Sequence, residues 1–176
     1  MKHLAAAVSC SSFILLSACA SAPPAGPPPR ACGLAEFGEA PGIVLSAPLK
    51  QPAGSKSAPD QAAAPLTVDK GTSAAGKWYD AAPGWKAWRL WLRSDTAKSM
   101  SVQLQPVDLP DGAQLWVCAP DGTLRQGPVI GRGPGSTGDF WSAAAKGPEV
   151  WIELLVPEAE TGQVKLRVAK AFGGVR

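Results

Sequence analysis

Trp88-Arg89-Leu90-Trp91-Leu92-Arg93 changes character at every residue: Trp88, Leu90 and Leu92 fall on one side of an extended chain, and Arg89, Trp91 and Arg93 fall on the other. That period predicts a β-strand with one face buried. The same phase returns in Met100, Val102 and Leu104 against Ser99, Ser101, Gln103 and Gln105, and in Ala113, Leu115 and Val117 against Gln114, Trp116 and Cys118. It returns again in Val150, Ile152, Leu154 and Val156 against Trp151, Glu153 and Leu155, and in Val164, Leu166 and Val168 against Lys165 and Arg167. Pro110-Asp111-Gly112 and Pro120-Asp121-Gly122 are turn sequences between these runs. A further strand is expected around Leu124 to Ile130, and Pro41 to Leu45 reads as an edge strand. Gly131 to Gly138 lacks the lysine and the strand-turn-helix context of a phosphate-binding loop, and reads as a connection. Seven or eight short strands, with no long helical pattern among them, predict an all-β fold. The architecture expected is a two-sheet antiparallel β-sandwich of jelly-roll or Greek-key type, with an immunoglobulin-like topology as the competing arrangement.

Upstream of the strands the composition changes. Met1-Lys2-His3 is followed by an apolar stretch through Phe13-Ile14-Leu15-Leu16 and then by Ser17-Ala18-Cys19. A short basic start, an apolar run shorter than a bilayer span and a small-residue cleavage site predict an export signal over residues 1–18. The Leu16-Ser17-Ala18-Cys19 segment resembles the lipobox of bacterial lipoproteins. That resemblance implies cleavage before Cys19, a diacylglycerol and an N-acyl chain such as palmitate on Cys19, and stable anchoring to the membrane. Ala20, where an aspartate would imply inner-membrane retention, points to the outer membrane of the cell envelope. Residues 19–40 then read as a disordered tether. Its proline-rich part, Ser21 to Pro29, would reach roughly 30 Å in the polyproline II conformation. Residues 41–65 read as the edge strand plus a linker, and 66–176 as the sandwich domain.

Cleavage also removes His3, the single histidine of the chain. A mature protein without imidazole has no Ser-His-Asp or Cys-His nucleophile system and no histidine-containing metal site. Asp108, Asp111, Asp121 and Asp139 are scattered and read as solvated turn carboxylates, so no metal and no cofactor is expected. The protein is therefore read as non-catalytic. A formal net charge of +3, or +2 without Lys2, is too slight for nucleic-acid binding. Of the four cysteines, Cys10 leaves with the signal and Cys19 takes lipid, so Cys32 and Cys118 remain as a possible disulfide or as two separate thiols.

Trp91, Trp116 and Trp151 all occupy the phase opposite the main apolar set, and neighbouring strands would gather them into an aromatic platform. Arg89, Arg93, Gln114 and Glu153 share that phase, so the platform is the candidate binding face, unless an intrachain segment covers it. Trp78, Trp85 and Trp88 read as core or edge packing, and Trp141 as a plug at one end of the sandwich.

From about Pro41 onward the chain also resembles the β-sandwich module that precedes the catalytic domain in secreted bacterial trypsin-like and lysyl-endopeptidase-like serine proteases. The ordered segments are VDKGTSAAGKWYD (Val68 to Asp80), AWRLWLRSDTAKSMSV (Ala87 to Val102), LPDGAQLWVCAPDG (Leu109 to Gly122), GPVIGRG (Gly127 to Gly133), DFWSAAAKGPEVWIELLVP (Asp139 to Pro157) and FGGVR (Phe172 to Arg176). In those proteases the catalytic triad lies beyond the module, so no catalytic residue carries over to this chain. The resemblance implies an interaction domain whose partner is an exported protein, a protease or its substrate. The alternative is a glycan-binding lipoprotein that recognises polysaccharide through the tryptophan face.

Overall fold

The computed structural model describes residues 26–33, 40–45, 63–71 and 75–174. The segment 1–18 expected to be the signal, Cys19, residues 20–25 and 34–39 of the expected tether and most of the expected linker lie outside them. Within the described residues the chain forms an all-β sandwich of two sheets. Its strands are β1 (Gly42–Val44), β2 (Ala63–Gly71), β3 (Lys77–Ala82), β4 (Trp85–Arg93), β5 (Ser99–Asp108) and β6 (Gln114–Cys118). There follow β7 (Arg125–Val129), β8 (Phe140–Trp141), β9 (Ala145–Lys146), β10 (Glu149–Pro157) and β11 (Lys165–Gly174). The first sheet runs β1-β4-β10-β6-β7, with β3 also on β4, and the second runs β2-β11-β5-β8, with β9 also on β5. Every pairing is antiparallel except that of β1, which lies parallel to the end of β4.

The apolar phase of each sequence run faces the other sheet. Leu90, Leu92, Met100, Val102, Leu104, Leu115, Val117, Val150, Ile152, Leu154 and Val156 are all inaccessible to solvent and belong to one core. Each fully buried side chain of this size contributes about 1.5–3 kcal/mol relative to exposure. The alternation in β11 breaks where a bulge between Val168 and Lys170 inserts one residue, after which Ala171 resumes the inward phase.

Both Pro-Asp-Gly sequences form turns. The Ala113 amide donates to the Pro110 carbonyl at 3.1 Å and the Gly122 amide to the Ala119 carbonyl at 3.0 Å. Gly112 and Gly122 take φ of 79° and 75°, where a side chain is disfavoured. In the second turn the Asp121 carboxylate accepts from the Thr123 hydroxyl at 2.7 Å and from its amide at 3.0 Å. These bonds favour the charged form, so the Asp121 pKa lies below its ordinary value. Thr123→Ala should therefore move the Asp121 midpoint upward in an NMR pH titration. An unmoved midpoint would mean that the hydroxyl does not hold the charge.

The expectation of one wet face holds for β5 except at Gln103, which is buried, and fails for β4 and β10. Ala87, Arg89, Trp151, Glu153 and Leu155 lie in the outward phase of the first sheet and are nevertheless buried. The cover is the N-terminal segment, residues 26–33 with Ala40, which acts as a strap across the outside of that sheet before β1 joins its edge and turns Ile43 and Leu45 toward the core between the sheets. The strand expected at Pro41 to Leu45 is the end of this strap. The second sheet begins at Ala63, three residues before the domain boundary expected at Leu66.

Candidate functional site

Two outward faces carry the chemistry, and the strap separates their fates. On the first sheet the register aligns Trp91, Trp151 and Cys118 in one cross-strand row, and Arg89, Glu153 and Trp116 in the next. The sequence-predicted residues are thus neighbours on one face, as strand phase and adjacency require. They do not form an open platform. Trp151 is 9% exposed, Trp91 and Trp116 are half-buried, and Ala40 packs among all three together with both cysteines.

A disulfide and hydrogen bonds hold the strap in addition to packing. Cys32 is joined to Cys118 by a disulfide with Cα atoms 6.0 Å apart. The Cys32 amide donates to Glu153 Oε2 at 2.7 Å, while Arg89 Nε donates to Glu153 Oε1 at 2.8 Å. Glu153 is fully buried, and the Arg89 guanidinium also lies 5.4 Å from the Tyr79 ring centroid. The indole N–H groups of Trp85 and Trp91 donate to the carbonyls of Gly26 (2.7 Å) and Ala40 (3.0 Å). Gly42 lets β1 cross the Trp91 ring, because a Cβ there would sit 1.8 Å from a ring carbon. Trp116 Nε1 is buried without a hydrogen-bond partner, and Arg125 lies over its ring at 4.8 Å.

The polar residues assigned to this face fare differently. Arg89 is committed to the buried ion pair, whereas Arg93 is exposed and pairs with Asp95 at 3.2 Å. The face read from Trp91, Trp116, Trp151, Arg89 and Arg93 as a candidate binding surface is therefore mostly interior. The physical reason is that the small residues of the strap lie flat on it.

Among the described residues no such cover lies over the second sheet at β8. Trp141, expected to plug one end of the sandwich, is 53% exposed on the outer face. Its ring stacks on Phe172 with centroids 5.2 Å apart and planes 29° from parallel, while about half of the residue stays accessible to solvent. Trp141 Nε1 donates to Asp139 Oδ2 at 3.1 Å, and Gln103 Nε2 donates to Asp139 Oδ1 at 3.0 Å. The loop behind it is fixed in turn, with the Val107 amide donating to the Gly138 carbonyl and the Gly138 amide to the Arg132 carbonyl, each at 2.9 Å. An exposed ring with its rotation and one face already fixed loses little entropy on binding. Sequence periodicity passed over this group because β8 has two residues, too few to show a phase. The available signal was Asp139-Phe140-Trp141, a carboxylate two residues from an indole directly behind a glycine-rich loop.

A separate cleft of about 610 Å³ is lined by Trp78, Tyr79, Asp80, Lys86, Thr161 and Gly162. Its ammonium group is already engaged: Lys86 donates to Asp80 and lies 3.2 Å from Glu158, and these partners raise its pKa. Among the described residues, no group of three or more histidine, cysteine, aspartate or glutamate side chains is placed to hold a metal ion, and no helix is long and apolar enough to cross a membrane. No protein-family model matches the chain, and no solved structure matches it to a significant degree.

Proposed function

We propose that this chain is a non-catalytic lipoprotein of the cell envelope, anchored through lipid on Cys19, whose β-sandwich binds an exported macromolecule. The anchor is supported by the Met1-to-Cys19 sequence, with its basic start, apolar run and lipobox-like end. The binding role rests on one observation: Trp141 is 53% exposed yet held by Phe172 and Asp139. A large aromatic side chain kept rigid in water is the kind of group that supplies most of the energy at a binding surface. An exported protein is the partner implied by the resemblance to protease-associated modules. Polysaccharide is the second reading, and a ring outside the strap favours it: the Trp141 face offers the stacking surface that the covered Trp91, Trp116 and Trp151 do not.

Two measurements on the full chain test this function. Labelled palmitate should enter the wild type and the protein should sediment with membranes, while Cys19→Ala should show neither behaviour; lipid on the variant, or an unlipidated wild type, would remove the anchor. Immobilised wild-type protein should retain a component of envelope extract that Trp141→Ala releases. Equal retention by both would remove Trp141 from the binding role.

A further inference from the structure

We infer that the outer face of the second sheet, centred on Trp141, is a subsite for a polysaccharide that carries carboxylate groups. This assignment names the ligand class for the binding role proposed above and rests on that role.

The register sets the layout. Trp141 on β8 is opposite Gln103 on β5, and Gln103 is opposite Lys170 on β11, so the three residues form one cross-strand row. Ser101, in the same outward phase, is opposite Phe172. The small side chain of Ser101 sits between the strands of Trp141 and Phe172, and the two rings meet across β5. Gln103 is 7% exposed and its amide is fixed on Asp139. The rest of this phase on β5 is Ser99 and Gln105, so apart from Phe172 on β11 the outward side chains beside the ring are hydroxyls and amides.

That composition chooses between ligand classes. The centres of protein interfaces are depleted in serine and lysine and ring their aromatic anchors with further apolar side chains. Here the anchor has one apolar neighbour, Phe172, and is otherwise flanked by Gln103 and Asp139, with Ser101 and Lys170 further along the same outward face. A pyranose ring matches this pattern. Its C–H face is weakly positive and lies against the negative face of an indole, while its hydroxyls point outward to hydrogen-bonding side chains. Asp139 has both oxygens engaged once by Trp141 and Gln103, and each retains a lone pair for a sugar hydroxyl.

Charge refines the class. Lys170 is exposed; on the same strand and in the same outward direction Lys165 pairs with Asp108 at 3.4 Å and Arg167 donates to the Gln105 carbonyl at 3.0 Å, so the charge argument rests on Lys170. Lys170 is two strand spacings from Trp141, about 10 Å. A carboxylate over Lys170 therefore belongs to a sugar unit next to the one stacked on the indole, which requires a chain rather than a monosaccharide.

Calorimetric titration of the full chain with hexamers of galacturonate and of mannuronate, each beside its methyl-esterified form, tests the assignment. At least one acidic hexamer should bind saturably. Trp141→Ala should weaken that binding about tenfold, with Trp141→Phe retaining part of it. Lys170→Gln should weaken the acidic hexamer about threefold and leave the ester unchanged. Phe and Gln variants keep the test informative if the alanine variant does not fold. Absence of saturable binding by both acidic hexamers, or binding indifferent to Trp141, overturns the inference. If the hexamers fail while Trp141→Ala still releases an exported protein from envelope extract, the saccharide assignment falls and the binding role stands; if neither responds to Trp141, both fall.

Discussion

Glu153→Ala should destabilise the protein by about 3–5 kcal/mol, the cost of breaking a buried ion pair by removing one partner. The loss arises at two contacts together. Glu153 is fully buried, receives Arg89 Nε on one oxygen and receives the Cys32 amide on the other. The truncated variant keeps a 7% exposed guanidinium inside the fold without this carboxylate, and removes the acceptor that ties the strap amide to the sheet. Total stabilities of single domains are about 5–15 kcal/mol, so the effect is a large share of the whole. Guanidinium-induced unfolding of the full chain measures it directly. Glu153→Gln, which keeps an acceptor oxygen but not the charge, should lose less than the alanine variant. A loss for Glu153→Ala below about 1 kcal/mol would class the pair with exposed salt bridges and contradict its burial.

Replacing both Cys32 and Cys118 with serine should cost about 2–5 kcal/mol, the usual range for a native disulfide in an exported domain. The bridge spans a sequence separation of 86 residues, so its removal frees a long segment of the unfolded chain. The loss should be uneven across the structure. Without the covalent link, the remaining contacts of the strap include the Trp85 and Trp91 indole bonds, the Glu153 bond and the short β1 pairing. Hydrogen exchange should therefore rise first at residues 26–33 and 40–45, while Leu104, Leu154 and their neighbours stay protected. Uniform loss of protection would show that the strap and the sandwich unfold as one unit. Because Cys32 serves both contacts, combining the serine pair with Glu153→Ala should cost less than the two losses added together.

Strands whose two sides differ in polarity were readable from sequence, and β5 is the clearest: Met100, Val102 and Leu104 are interior while Ser99, Ser101 and Gln105 reach water. The core came from the same rule. What periodicity does not report is cover supplied from far away in the chain. Arg89 and Glu153 look like solvent-side residues, and only the register that pairs them, together with a strap more than fifty residues upstream, makes them interior. The strap itself is built from glycine, proline and alanine, a composition that resembles linker because flat packing on tryptophan rings requires small side chains. Trp141 reads as an end plug, not as an exposed ring, for the opposite reason. Its environment is set by Phe172 at the far end of the sequence and by Gln103 in the middle, and no local window contains all three.

The parallel strand β1 and the disulfide also divide the work when the chain is pulled. A force applied on the N-terminal side of Gly26 first loads the Trp85–Gly26 hydrogen bond and the packing of Ala31, and at Cys32 it enters β6 through a covalent bond to Cys118. β1 lies beyond that junction, so its three pairs with β4 carry none of the load. Tension is delivered to a strand flanked on both sides, by β10 and β7, rather than to an edge that could be unzipped one hydrogen bond at a time. The domain is thus moored at its interior: once the Gly26 contact has given way, tension from the N-terminal side is held by a covalent bond to a flanked strand.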